Sequence, residues 1–231
     1  TPLEQYYGAQ VCYGGGFDCI ETVAAAMTAQ GGGAAYVRAA EGVPVTGWNT
    51  SNISYALSIA NASDVIVLML GLNRQVEGET LDRITTDLPL IQSYFAEQVL
   101  ALGIPTVLVF INGGMISFDN LLNATKLPQL AIVEAFYPGF VGGSAIACAL
   151  YGCANRWGKL PVTIYTSSFQ FEQDFFSFDM TTYPGRTYRY FQQTPLYPFG
   201  WGLSYTNFAF HCTQSFASFS LNCNISNVGA M

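Results

Sequence analysis

The stretch that most constrains the fold runs from Asp64 to Arg83, D-V-I-V-L-M-L-G-L-N-R-Q-V-E-G-E-T-L-D-R. Its first half is an unbroken apolar run, Val65, Ile66, Val67, Leu68, Met69 and Leu70, closed by Gly71. That pattern predicts a central strand buried on both faces of a parallel sheet. The chain then turns polar and delivers Glu77, Glu79, Asp82 and Arg83 within a few residues. Only 10% of the residues are charged, so this cluster marks a site more than a solvated surface. Open α/β sheets bind ligands in the crevice beyond the carboxyl ends of their strands. Residues 76–83 are therefore read as the site-bearing loop and the remainder as its scaffold.

At 231 residues the chain can bury a full core, as one large domain or one domain with appendages. Half of it is apolar and its mean hydropathy is positive. No run reaches the roughly 18 to 20 apolar residues of a membrane span. The net charge of -7, with Lys126 and Lys159 as the lysines, excludes nucleic acid as a partner, because such binding needs a basic footprint. The six cysteines fall into close pairs, Cys12 with Cys19, Cys148 with Cys153 and Cys212 with Cys223. None has the doubled spacing of a zinc site, so three local disulfides are expected, with no metal and no cofactor. N-x-S/T sequons at Asn49, Asn52, Asn61, Asn123 and Asn224 predict N-linked glycans and an extracellular, secreted protein. No signal peptide is seen, so the sequence is expected to begin after processing or to be a piece of something longer.

Residues 1–33 form a linker-like segment with a Gly14-Gly15-Gly16 run, a helix over 20–30 and a glycine stop at Gly31-Gly32-Gly33. A first strand is expected over Ala34–Arg38. A helix follows over 51–60, with Ile53, Ala56, Leu57 and Ala60 on one face. After the acidic loop, a helix from Pro89 to about Leu102 buries Leu90, Phe95, Val99 and Leu102. Strands at Thr106–Ile111 and Ala131–Phe136 alternate with helices at about 117–123 and 142–150. This alternation predicts an α/β domain over 34–207, a mostly parallel sheet sandwiched by helices. Lys159–Tyr165 reads as a short strand. The β-rich tail, 208–231, reads as a hairpin stapled by Cys212 and Cys223, or as the start of a truncated fibronectin-like domain.

Seven collinear segments resemble the second, α/β domain of glycoside hydrolase family 3, most closely its β-xylosidase branch. They are A-S-D-V-I-V-L-M-L-G-L-N to Asn73, E-G-E-T-L-D-R to Arg83 and I-P-T-V-L-V-F-I-N-G-G to Gly114. They continue with Y-P-G-F-V-G-G-S-A-I-A from Tyr137, G-K-L-P-V-T from Gly158, P-G-R-T-Y-R-Y from Pro184 and L-Y-P-F-G-W-G-L-S-Y-T-N-F from Leu196. The resemblance implies a retaining glycosidase whose nucleophilic aspartate sits on a preceding (β/α)8 barrel that has no counterpart in this sequence. It also implies a following fibronectin-like sandwich. Where the family carries P-G-E-E-G-G, Phe140 and Val141 replace the two acids. The expected partners are carbohydrate and a barrel from the same precursor or another chain.

Retaining glycosidases use two carboxyl groups about 5 to 5.5 Å apart, one attacking the anomeric carbon and one protonating the leaving oxygen. The resemblance gives the protonating role to the 77–83 loop, with Glu79 as first choice and Glu77 as second. At i and i+2 of an extended segment, the two glutamates point the same way, and their repulsion raises one carboxyl as a general acid requires. Asp82 and Arg83 contact substrate or form an ion pair that fixes the loop. Arg186 and Arg189 read as loop anchors. Tyr197, Phe199 and Trp201 read as core packing or a sugar-stacking platform, and His211 as a hairpin residue. Asn112-Gly113-Gly114 lacks the glycine fingerprint and lysine of a phosphate site. Lacking the nucleophile domain, the chain alone is not expected to turn over substrate. The alternative is a non-catalytic, N-glycosylated structural subunit that assembles with copies of itself into a filament through an unpaired strand edge. A carbohydrate-binding module built on the aromatic cluster is a third reading.

Overall fold

The computed structural model describes Cys12 and residues 19–124, 129–155 and 157–229. The Gly14-Gly15-Gly16 run, most of the opening of the 1–33 segment and the last two residues of the 208–231 tail lie outside the described residues. Helix α1 spans Val23–Gln30, and its start is fixed by Thr22, whose hydroxyl accepts from the Ala25 amide at 3.1 Å. The strand expected over 34–38 does not form. The amides of Tyr36 and Val37 donate to Gly33 O at 3.1 and 3.2 Å, so the backbone folds into a turn there and these two donors are lost to a ladder.

Helix α2 (Ile53–Asn61) presents the expected face: Ile53 and Ala56 are buried, and Leu57 and Ala60 pack against the core. It leads into β1 (Ile66–Gly71), then α3 (Leu90–Leu100), β2 (Thr106–Ile111), α4 (Asp119–Ala124), β3 (Leu130–Glu134) and α5 (Gly142–Leu150). The sheet is parallel with order β1-β2-β3. Val67 sits opposite Val107, which sits opposite Ala131.

The central strand is therefore β2, not β1. Leu108, Val109 and Phe110 are wholly shielded, whereas Val65 and Met69 beside the β1 edge are exposed. Alternate side chains point to opposite sheet faces. Ile66, Leu68, Leu70, Leu108 and Phe110 join one cluster with Ile53, Phe95, Val99 and Leu121. Val109 lies on the other face, outside that cluster, and α1 packs against α5 through buried Ala26, Ile146 and Ala147. Helices thus cover both faces, as the apolar run requires. Within α3 the buried stripe is Ile91, Gln92, Phe95, Ala96 and Val99, and Leu90 is exposed. The helix starts at Leu90, and the buried face begins one position later than the sequence pattern indicates.

The chain beyond residue 158 carries little regular structure. The strand expected over 159–165 reduces to one antiparallel bridge, Ile164 to Tyr197. Two one-turn helices follow, α6 (Phe169–Glu172) and α7 (Thr187–Tyr190). The tail forms the expected hairpin: β4 (Phe208–Ser215) pairs antiparallel with β5 (Ser220–Asn227), and Cys212 is bonded to Cys223 directly across the ladder. Cys12 is bonded to Cys19. The third expected bridge is not made. Cys148 and Cys153 are not joined to each other; just past the end of α5 the Cys153 amide instead donates to the Cys148 carbonyl at 3.0 Å, and the Cys153 thiol faces Gln30.

Candidate active site

The site is built on the exits of β1 and β2. Buried Gln92 of α3 clamps the end of β1, its amide oxygen accepting from Gly71 N at 2.8 Å and its nitrogen donating to Gly71 O at 2.7 Å and Val45 O at 3.1 Å. Position 71 must be glycine. Its φ of 155° and its contact with the Ile111 backbone leave no room for a Cβ. Asn73 then turns the chain: its carbonyl accepts from Val76 and Glu77, and its side chain accepts from Gln75 N at 3.0 Å.

The two glutamates separate at this point. Glu77 turns inward and accepts from Gly114 N at 2.6 Å, while its other oxygen meets Arg83 Nε at 2.8 Å. The next residues close a tight hairpin in which Gly78 and Leu81 exchange both backbone hydrogen bonds at 3.0 Å. Glu79 and Thr80 form its tip, with Thr80 at φ 68°. Glu79 is exposed, whereas the Glu77 and Arg83 side chains retain 18% and 13% of their exposure. The expectation that both glutamates face one way fails because the reversal after Gly78 breaks the extended segment.

The expected Asp82–Arg83 ion pair also gives way. Adjacent residues point to opposite sides, and Arg83 folds back onto Glu77, with further donation to Met115 O at 2.7 Å and Thr86 O at 3.3 Å. Asp82 stays exposed on the outer side. Gly113 and Gly114 serve as the cradle for this pair: a Cβ on Gly114 would meet the Glu77 carboxylate and the Arg83 guanidinium, and one on Gly113 would meet Tyr137. The glycine turn after β2 thus holds an anion, but the anion is the protein's own Glu77. Burial, then the Glu77 charge, pushes the Tyr137 phenol above its ordinary range, and the Gly113 backbone and Arg83 pull it part of the way back.

Around this hairpin opens a cleft of about 880 Å³, lined by Arg74, Glu79, Asp82, Ile84, Tyr137, Phe175 and Arg186 among others. Arg186 acts as an anchor, donating to Gln173 Oε1 at 3.0 Å and to the Asp174 carbonyl. Arg189 lies over the Tyr188 ring and is outside the cleft lining. Tyr197 packs against the core, and Phe199 and Trp201 are half exposed away from the cleft lining. His211 sits exposed on β4. All five sequon asparagines, Asn49, Asn52, Asn61, Asn123 and Asn224, are exposed. Among the described residues no three His, Cys, Asp or Glu side chains converge to hold a metal, and no helix is long and apolar enough to cross a membrane.

One ionisable group at this edge of the sheet escaped the sequence reading. Glu134, the last residue of β3, sits opposite Phe110 with both carboxyl oxygens buried and without a hydrogen bond. Burial raises it from an ordinary 4.5 to about 7, against a smaller lowering by the Asn112 side chain. An acid in an otherwise apolar strand, A-I-V-E-A-F, was the signal that could have found it.

A sequence profile described as the glycosyl hydrolase family 3 C-terminal domain matches residues 4–205. Beta-D-xylosidase 1 of Arabidopsis thaliana is 36% identical over 179 residues, covering 76% of this chain and 23% of the relative. An exo-1,4-beta-xylosidase of Emericella nidulans is 35% identical over 175 residues, covering 74% and 22% respectively. Among solved structures, a family 3 exo-beta-xylosidase in complex with a xylobiose aziridine activity-based probe superposes with TM-score 0.66 at 29% identity, covering 73% of this chain and 22% of that one. A Bifidobacterium adolescentis family 3 beta-glucosidase gives TM-score 0.71 at 25% identity, covering 91% and 32%. The chain spans less than a quarter of the length of these curated relatives.

Proposed function

Because the chain belongs to glycosyl hydrolase family 3, matching its C-terminal domain, we propose that it supplies the acid/base carboxyl of a retaining, β-xylosidase-like or β-glucosidase-like enzyme, and that this carboxyl is Glu79. The observation that carries the assignment is the separation of the two glutamates. Glu77 has both oxygens engaged, by Gly114 N and Arg83, so it is a loop anchor with no oxygen to spare for a leaving group. Glu79 stands at the hairpin tip on the rim of the cleft. From there it can give a proton to the departing glycosidic oxygen, then take one from the water that releases the glycosyl-enzyme. Asp82, exposed on the same rim, contacts substrate, and Arg83 holds the loop.

The nucleophile comes from a (β/α)8 barrel, in the same precursor or another chain, that closes over this cleft. The exposed asparagines at all five sequons support a secreted, N-glycosylated protein. Two measurements test the reading. Native mass and electron microscopy of the protein as secreted should find a barrel beside this domain. Aryl xyloside hydrolysis should require that barrel and be absent from this chain alone. A polymer built of this chain only, without a barrel, would overturn the enzyme and favour the structural subunit.

A further inference from the structure

A second depression, of about 390 Å³, adjoins the main cleft and shares with it the wall made by Asp82, Arg83, Ile84 and Thr85. Trp48 lines this depression on a loop pinned from both sides. Val45 O accepts from Gln92 Nε2 at 3.1 Å, Thr46 Oγ1 donates to Gln75 Oε1 at 3.1 Å, and Asn49 Oδ1 accepts from Ser51 N at 3.0 Å. The indole is nonetheless 68% exposed, and among the described residues it has neither a ring contact nor a hydrogen bond. A single exposed aromatic residue is ordinary. An indole held in place beside polar groups with bonding capacity to spare is not. The Thr46 contact uses only the oxygen of the Gln75 amide, so its nitrogen keeps its donors. Asp82 and Asp87 add two carboxylates to the same lining. An apolar platform with a few polar groups around it is the composition of a small-molecule site.

We propose that this depression is a sugar subsite, in which Trp48 carries the ring face of a neutral β-linked glycosyl unit one position beyond the unit held in the main cleft. A β-linked pyranose with equatorial substituents shows apolar C–H groups on its faces and hydroxyls around its edge. The faces suit the indole, and the hydroxyls suit Asp82, as acceptor, and Gln75, as donor. Charge narrows the class. The one cation in the lining, Arg83, is already paired with Glu77, while the two aspartates leave a surplus of negative charge. A sugar bearing a carboxylate is therefore disfavoured. Asp82, which lines both depressions, stands where successive units of one chain pass from the cleft to Trp48.

The assignment of successive units rests on the reading of the main cleft as a glycosidase site. Binding at Trp48 is measured without turnover, so the two can fail separately. The experiment titrates the full chain with xylotriose and follows the Trp48 indole N–H and the Gln75 amide by nuclear magnetic resonance, the former identified by its loss in Trp48→Ala. Both signals should shift saturably, and in Trp48→Ala the Gln75 shift should need about tenfold more xylotriose, the factor expected from one lost ring contact. Trp201→Phe, which alters a half-exposed ring outside both linings, should leave the titration unchanged. Xylitol, with hydroxyls but no ring face, should produce no such shift, and neither should tetramethylammonium, a cation that an indole beside carboxylates could attract. A polymer of this chain without a barrel would sink the hydrolase and leave this titration standing. A Trp48 signal that ignores xylotriose, or that xylitol or tetramethylammonium moves equally, would overturn the subsite, as would an unchanged affinity in Trp48→Ala.

Discussion

The sheet and the 171–178 segment both carry large apolar residues, yet they use them in opposite ways. In β1, β2 and β3 most of these side chains are drawn into the core, and Leu108, Val109 and Phe110 are wholly shielded. In α6 and the segment after it, Phe171, Phe175, Phe176 and Phe178 stand exposed, Phe178 completely, and Ile84 also faces solvent on the cleft rim. Periodicity separates the two. A strand run alternates faces at a fixed spacing and can be covered twice, whereas the 171–178 phenylalanines follow no period that one partner element within the chain could satisfy. Exposed apolar surface on this scale marks an interaction face. The first region is covered by the chain's own contacts, and the second is left open to solvent.

That contrast is broken or sharpened by substitution. The largest effect is expected for Phe110→Ala, which removes a shielded ring stacked on Phe118 at 5.1 Å and should cost about 3 to 5 kcal/mol in denaturant unfolding. A comparable loss at Phe178 would erase the distinction. Next comes the pH course of stability. The raised Glu134 carboxyl holds its proton up to about 7 in the folded chain, whereas the unfolded chain releases it near 4.5. The folded state therefore binds more protons between these values, and stability falls as pH rises through that window, by about 3 kcal/mol as an order of magnitude. Glu134→Gln should flatten that slope. Arg83→Met should follow, at about 1 to 3 kcal/mol, because it strands the half-buried Glu77 carboxylate. The smallest effect is expected for Phe178→Ala, with no measurable change in unfolding midpoint but weaker association with a barrel.

Much of the scaffold is legible in the sequence. Strand Thr106–Ile111 and helix Gly142–Leu150 are bounded as read, because unbroken apolar runs closed by glycine, and small-residue runs after Pro138-Gly139, have few competing folds. The rank of β1 was misread because an apolar run does not say how many neighbours its edge has. Leu90 was misread because a helical face depends on where the first turn begins. At the site, the residues were found but not their pairing. The reversal at Gly78 is set by a two-residue turn that separates Glu77 from Glu79, and Arg83 reaches back across it to a glycine turn from another strand. Glu134 is legible as an acid in an apolar strand, but its burial is not, because that depends on the parallel register that sets it opposite Phe110 of β2.

The division of labour between Glu77 and Glu79 is the central claim, and leaving-group dependence tests it most directly. With the barrel in place, the Glu79→Gln and Glu77→Gln variants are assayed on two β-xylosides, one with a poor leaving group that needs a proton and one aryl xyloside whose leaving group does not. The account predicts that Glu79→Gln loses about 10²- to 10⁴-fold in kcat/KM on the first and far less on the second, while Glu77→Gln lowers both alike together with stability. Equal losses on both substrates for Glu79→Gln, or the selective loss appearing with Glu77→Gln, would contradict it.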